Sequence, residues 1–200
     1  MSKKAIIVAL AICIITITSL TNETAYSMSF NLTNSQINEA IEYGKKNRRM
    51  ELKEFIRPWV IHLGDDTGWA TLYTAYHNVA FKSKKAAVER RELSQGEILK
   101  ALYIKENMTF TVSVFGDYME FARGYNAILA CGEKTIYPIY SYFPEYAEPS
   151  SFYPNLPSFV AGCVFKFPKE DIDPNSNITL SVTSPEGQEL KFEFDLAKIK

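Results

Sequence analysis

Few residues in this chain have the types and spacing to support chemistry. His62 and His77 are the two histidines, and His62 stands just ahead of Asp65 and Asp66. An imidazole beside carboxylates is raw material for a metal site. The spacing matches no closed metal pattern, however, and no His-Glu-x-x-His arrangement exists. Turn chemistry between Gly64 and Gly68 accounts for both aspartates, and His77, one helical turn from Tyr73 and Phe81, reads as part of an aromatic patch. Carboxylates cluster at Glu145 and Glu148 and at Glu170, Asp171 and Asp173. Glycosidases use such pairs at defined separations that a sequence does not supply, so these read as solvated loop acids. Gly-x-Ser-x-Gly is absent, and Gly64 to Gly68 lacks the lysine and length of a phosphate-binding loop. The expectation is no catalytic residue, no metal and no cofactor.

The segment from Tyr137 to Phe159 is the most unusual. Tyr140, Tyr142, Tyr146 and Tyr153 recur among Pro138, Pro144, Pro149, Pro154 and Pro157. Prolines restrict the backbone and cannot donate to a strand ladder, so this stretch forms a stiff, ordered excursion. Tyrosines on a rigid loop give large amphipathic area at low entropic cost, which suits recognition of a glycan, a peptide or a protein partner. The plainer and favoured reading is that the rings fold back over an open end of the sheet.

The N-terminus supplies an address. Lys3 and Lys4, an apolar run from Ala5 to Ile17, and Ala25-Tyr26-Ser27 have the layout of a secretory signal peptide cleaved near Ser27. Its targeting is the only expected contact with membrane, and the compartment is periplasmic or secreted. Oxidising conditions there favour pairing of the remaining cysteines, Cys131 and Cys163, which both lie on inward strand faces. A structural disulfide is the expectation. The formal net charge of −1 provides no field for nucleic acid. Aromatic content of 14% argues against disorder.

These residues must be held by elements of two kinds, and the pattern changes near residue 107. Before it the signals are helical. Thr33 to Gln36 is a capping box opening a first helix closed by Lys45 and Lys46. A second helix fits Leu72 to Arg91, and Ser94 to Glu97 opens a third running to about Lys105. Lys82, Lys84, Lys85, Arg90 and Arg91 read as a solvated face. Trp59 to Leu63 reads as a strand. After residue 107 the apolar period becomes two: Phe110, Val112 and Val114; Ile178, Leu180 and Val182; Leu190, Phe192 and Phe194. Such alternation marks antiparallel sheet with one wet face. Ser184-Pro185-Glu186-Gly187 joins the last two strands as a hairpin. Further strands fit Tyr125 to Cys131, Lys134 to Tyr140 and Phe159 to Phe167.

Helices first and strands second predict an α+β fold, N-terminal helices packed on a C-terminal antiparallel sheet or small immunoglobulin-like sandwich. The division is residues 1–27 as signal, 28–106 as a mainly helical segment with one strand, and 107–200 as the β domain. The signal, the Phe167-Pro168 and Asp173-Pro174 turns before a β-branched strand, and the terminal Phe192-Glu193-Phe194-Asp195-Leu196 resemble exported bacterial proteins of unknown function. That resemblance implies a periplasmic or surface location and no activity. The leading reading is a non-catalytic binding or accessory protein of the envelope, acting through Tyr140, Tyr142, Tyr146 and Tyr153 on an envelope protein, peptide or glycan. The alternatives are a periplasmic hydrolase, metal-dependent around His62, Asp65 and Asp66 or carboxylate-based, and a structural subunit of an envelope complex.

Overall fold

The computed structural model describes residues 28–103 and 107–200. The expected signal peptide and the expected end of the third helix at Lys105 lie outside those residues. No described helix is long and apolar enough to cross a membrane.

The three longer helices start where a side chain can satisfy their free amides. In α1 (Asn34–Lys46) the Thr33 hydroxyl accepts from the Gln36 amide at 3.3 Å, and Gln36 Oε1 accepts from the Thr33 amide at 2.9 Å. Glu97 and Ser94 make the same reciprocal pair at the start of α4 (Gln95–Leu102). Between them come a short α2 (Leu52–Ile56), a 3-10 turn Arg57–Trp59, and α3 (Ala75–Val88) capped by Thr74. Close approach of α1 to α3 requires Gly44, because a Cβ there would collide with Ala80 O, Lys84 N and Ser83 Cβ. Ser83 Oγ uses that proximity to donate to Ile41 O at 2.7 Å.

Lys84 is not part of a solvated face. Its ammonium donates to Asn47 O at 2.9 Å and Arg48 O at 3.0 Å, reaches Met50 O, and lies 5.1 Å from the Phe55 ring centroid. It closes the C-terminal end of α1, where carbonyls lack intrahelical partners.

The strands form two antiparallel sheets. The larger has the order β1 (Val60–Gly64), β2 (Gly68–Tyr73), β3 (Asn107–Gly116), β8 (Phe159–Pro168), β6 (Tyr140–Tyr142), with the short β7 (Glu148–Pro149) also paired to β8. The smaller runs β10 (Glu189–Asp195), β9 (Asn177–Thr183), β4 (Asn126–Cys131), β5 (Lys134–Ile136). The α+β class therefore holds. The hairpin at Ser184 to Gly187 is also present, with Gly187 at φ 86° and Ser184 N–H donating to Gln188 O at 2.8 Å.

Two expected boundaries move. Leu72 and Tyr73 belong to β2, because the alternation Trp69, Thr71, Tyr73 pairs with β3 and Thr74 caps α3 only afterwards. The expected strand Lys134 to Tyr140 divides into β5 and β6, which belong to different sheets. Pro138 sits at the division, where a ladder cannot continue without its N–H.

Inward faces of both sheets meet in one core. Phe110, Phe165 and Phe167 from the larger sheet and Leu129, Leu180, Phe192 and Phe194 from the smaller are fully buried. The Phe110 and Phe194 ring centroids are 5.3 Å apart. Each such ring or branched chain stabilises the fold by roughly 1.5–3 kcal/mol. The helices join this core through Phe55, Trp59 and Tyr76. Trp59 Nε1 and Thr74 Oγ1 both donate to the Lys200 carbonyl oxygen, at 2.8 and 2.7 Å.

The expected disulfide is not formed: Cys131 and Cys163 are both free thiols. Both do pack against the core, but in different sheets: Cys163 lies mid-strand in β8, opposite Val112 of β3, and Cys131 ends β4, opposite Ile178 of β9. Cys131 Sγ instead contacts Ser176 Oγ at 3.3 Å. Burial pushes the Cys163 thiol up to about 12, which leaves it unreactive.

Candidate functional site

The outer face of the larger sheet is built by the residues between those that make the core. Ala70, Val112 and Cys163 point inward, so their neighbours Trp69, Ser113 and Gly162 point outward. Register lines up His62, Trp69, Ser113 and Gly162 side by side across β1, β2, β3 and β8. A second row holds Val60, Thr71, Thr111, Val164 and Tyr142, continuing onto β6. Small hydroxyl-bearing and apolar residues thus occupy the middle of the face, with aromatic rings on both sides.

One side is a chain of rings. His62 meets Trp69 at 5.5 Å, Trp69 meets Phe115 at 5.7 Å, and Phe115 meets Phe152 at 6.1 Å between centroids. With α2 opposite them, these rings line a cleft of about 930 Å³. Leu52, Ile56 and Val60 complete its apolar wall, while Lys53, Glu54, Arg57 and Asp65 stand around it. Apolar concavities of this size with a few polar groups are the usual form of ligand sites.

The other side carries the tyrosines singled out in the sequence. Tyr140 and Tyr142 lie on β6, opposite Lys166 and Val164 of β8, and each is 48% exposed. Tyr146 and Tyr153 follow in the loop at 53% and 58%. Folding back over the sheet is therefore the fate of Phe143 and Phe159, which pack on the core, and not of these four rings. Lys166 Nζ lies 5.0 Å from the Tyr140 centroid and the Arg123 guanidinium 5.4 Å from that of Tyr146, which limits both rings' freedom.

Two serines order the loop that delivers Phe152 and Tyr153. The Ser150 amide donates to Ser158 O at 2.9 Å, and the Ser150 hydroxyl donates to Pro157 O. That hydroxyl also accepts from the Phe152 amide at 3.1 Å, while the Ser158 hydroxyl donates to Asn155 O at 3.1 Å. Both serines are buried. Serine on a proline-rich segment carries no distinctive sequence signal, so their role was not legible there.

The residues of the hydrolase alternative are only partly assembled. His62 and Asp65 reach the cleft, but Asp66 takes a bond from Thr67 Oγ1 at 3.2 Å within its own turn. Among the described residues no group of three or more His, Cys, Asp or Glu could hold a metal ion. Glu145 pairs with Arg123 at 3.6 Å and Asp171 with Lys134 at 2.9 Å. Asp173 caps its own turn through the Asn175 amide at 2.9 Å.

His77 is a strongly perturbed base. Trp59, Tyr73 and Phe81 surround it with centroids 4.7, 5.1 and 6.2 Å away, and neither buried ring nitrogen has a partner of hydrogen-bonding geometry. Burial pulls it down to about 4, against a weaker upward pull from the Asn78 side chain. It is a neutral member of the helical core.

No family model matches the chain, and no curated protein matches it. Among solved structures, the archaellum periplasmic stator protein FlaG from Sulfolobus acidocaldarius is similar over 44% of this chain and 86% of its own, at 11% identity and a TM-score of 0.32. The archaellum periplasmic stator complex of FlaF and FlaG from the same organism is similar over 44% of this chain and 78% of that chain, at 12% identity and a TM-score of 0.30. Likeness at that level assigns neither a fold family nor a function.

Proposed function

We propose that this chain is an exported envelope binding or accessory protein that acts by recognition, through the aromatic outer face of its larger sheet. In this reading residues 1–27 direct export and are removed near Ser27. Residues 28–106 and 107–200 then work as one unit, a two-sheet sandwich carrying its helices. The observation that supports it most is the exposure of Tyr140, Tyr142, Tyr146 and Tyr153 on an ordered segment beside the cleft of Trp69, Phe115 and Phe152. Exposed aromatic area of this extent on a stable scaffold marks an interaction surface.

The test is co-sedimentation of purified protein with the envelope fraction of the cells that make it. Replacing Tyr140 and Tyr142 together with alanine removes exposed rings only, so the variant keeps its circular dichroism and melting temperature. The reading expects it to stay in the supernatant. A variant that sediments as fully as the parent, or one that unfolds, overturns the assignment of these rings to binding.

A further inference from the structure

Resting on that reading, we infer that the ligand of the outer face is a neutral glycan chain lying across the sheet from Trp69, over Ser113 and Gly162, to Tyr142. Gly162 is the key position. It lies in the interior of β8, exposed on the outer face, and nothing stands within 4 Å of where its Cβ would be. Its φ is not in the left-handed region either. Neither backbone conformation nor packing calls for glycine here, and glycine weakens a strand interior. What its missing side chain does accomplish is a gap in the centre of the face, between aromatic walls that β2 and β6 raise on either side. Three strand spacings separate those walls, about 14 Å, room for a short run of sugar rings.

The chemistry of the floor and walls selects among ligands. Charges bordering the face balance: Lys53, Arg57 and Lys166 against Glu54, Asp65 and Glu148, so no net field draws an ion. β2 and β3 each have a partner strand on both sides, and the outer edge of β8 is paired by β7 at 159–160 and by β6 at 164–166, which leaves only the short span 161–163 without a ladder there. A peptide laid across them would find few free backbone groups and would leave most of its own amides unpaired. A sugar ring carries an apolar C–H face and a hydroxyl edge. The first matches Trp69 and Tyr142, and the second matches the hydroxyls of Thr111 and Ser113.

The experiment is affinity electrophoresis of the native protein through gels containing envelope polysaccharide, deproteinised and divided by anion exchange into neutral and acidic fractions. The neutral fraction retards the parent, and Gly162→Leu fills the gap and abolishes retardation while melting at the same or a higher temperature. Gly162→Ser, which intrudes little and adds a hydroxyl, keeps most of it. The inference is overturned if only the acidic fraction retards the protein, if no polysaccharide does while the intact envelope still binds it, or if Gly162→Leu is retarded like the parent. In those cases the Tyr140 and Tyr142 sedimentation result still stands or falls by itself, so the broader reading is judged separately.

Discussion

The two faces of the larger sheet share the same strands and differ only in which alternate residues they expose. Inward go Ala70, Phe110, Val112, Ala161, Cys163 and Phe165, all buried in the common core. Outward go Trp69, Thr111, Ser113, Phe115, Gly162 and Val164, none of them buried, and Thr71 and Thr109, which are. The inner face is a finished core, filled to contact. The outer face keeps comparable aromatic material in the open and a glycine where a side chain would fit. Period-two alternation therefore explains the first face entirely and leaves the composition of the second to be explained by something other than folding.

Substitutions divide along that line. Phe110→Ala empties a fully buried site against Phe167 and Phe194 and is expected to cost about 3–5 kcal/mol in denaturant unfolding. Phe115→Ala on the other face is expected to cost far less; equal losses would erase the distinction. Acid is the next largest perturbation. His77 must bind a proton on unfolding, since its folded value of about 4 lies below the 6.5 of the free side chain. Stability is therefore complete above about 6.5, falls as pH drops through that window, and levels below about 4, by about 3 kcal/mol in total. His77→Leu should flatten the pH 4–6.5 portion of the curve, and an unchanged slope would assign it elsewhere.

Lys84→Met leaves the carbonyls of Asn47, Arg48 and Met50 without their shared donor and is expected to cost about 1–3 kcal/mol. A neutral result would return Lys84 to the solvated class. Thiol titration makes the gentlest comparison. Half-buried Cys131 should label first in native protein, Cys163 only on unfolding, and reductant should not shift the melting temperature. A single unlabelled pair that opens with reductant would contradict two free thiols in different sheets.

Much of the scaffold was legible in the sequence because it depends on local rules. The capping boxes at Thr33 and Ser94, the alternation of β3, β9 and β10, and the hairpin at Ser184 follow from neighbours within a few residues. What was not legible depends on partners distant in the chain. Separation of β5 from β6 requires knowing which sheet each joins. Inward orientation of Cys131 and Cys163 was readable, whereas their placement in different sheets was not. The same holds for the site: the tyrosines were conspicuous by composition, but Trp69, Phe115, Phe152 and Gly162 converge only through register.

Hydroxyl-radical footprinting of the protein, free and sedimented with its envelope fraction, tests the central claim most directly. Protection at Trp69, Phe115, Tyr140 and Tyr142, with Leu99 and Tyr103 at the far helix unchanged, is the expected pattern. Protection confined to the helices or to the smaller sheet, with the Trp69 and Tyr142 rings as reactive as before, would contradict it.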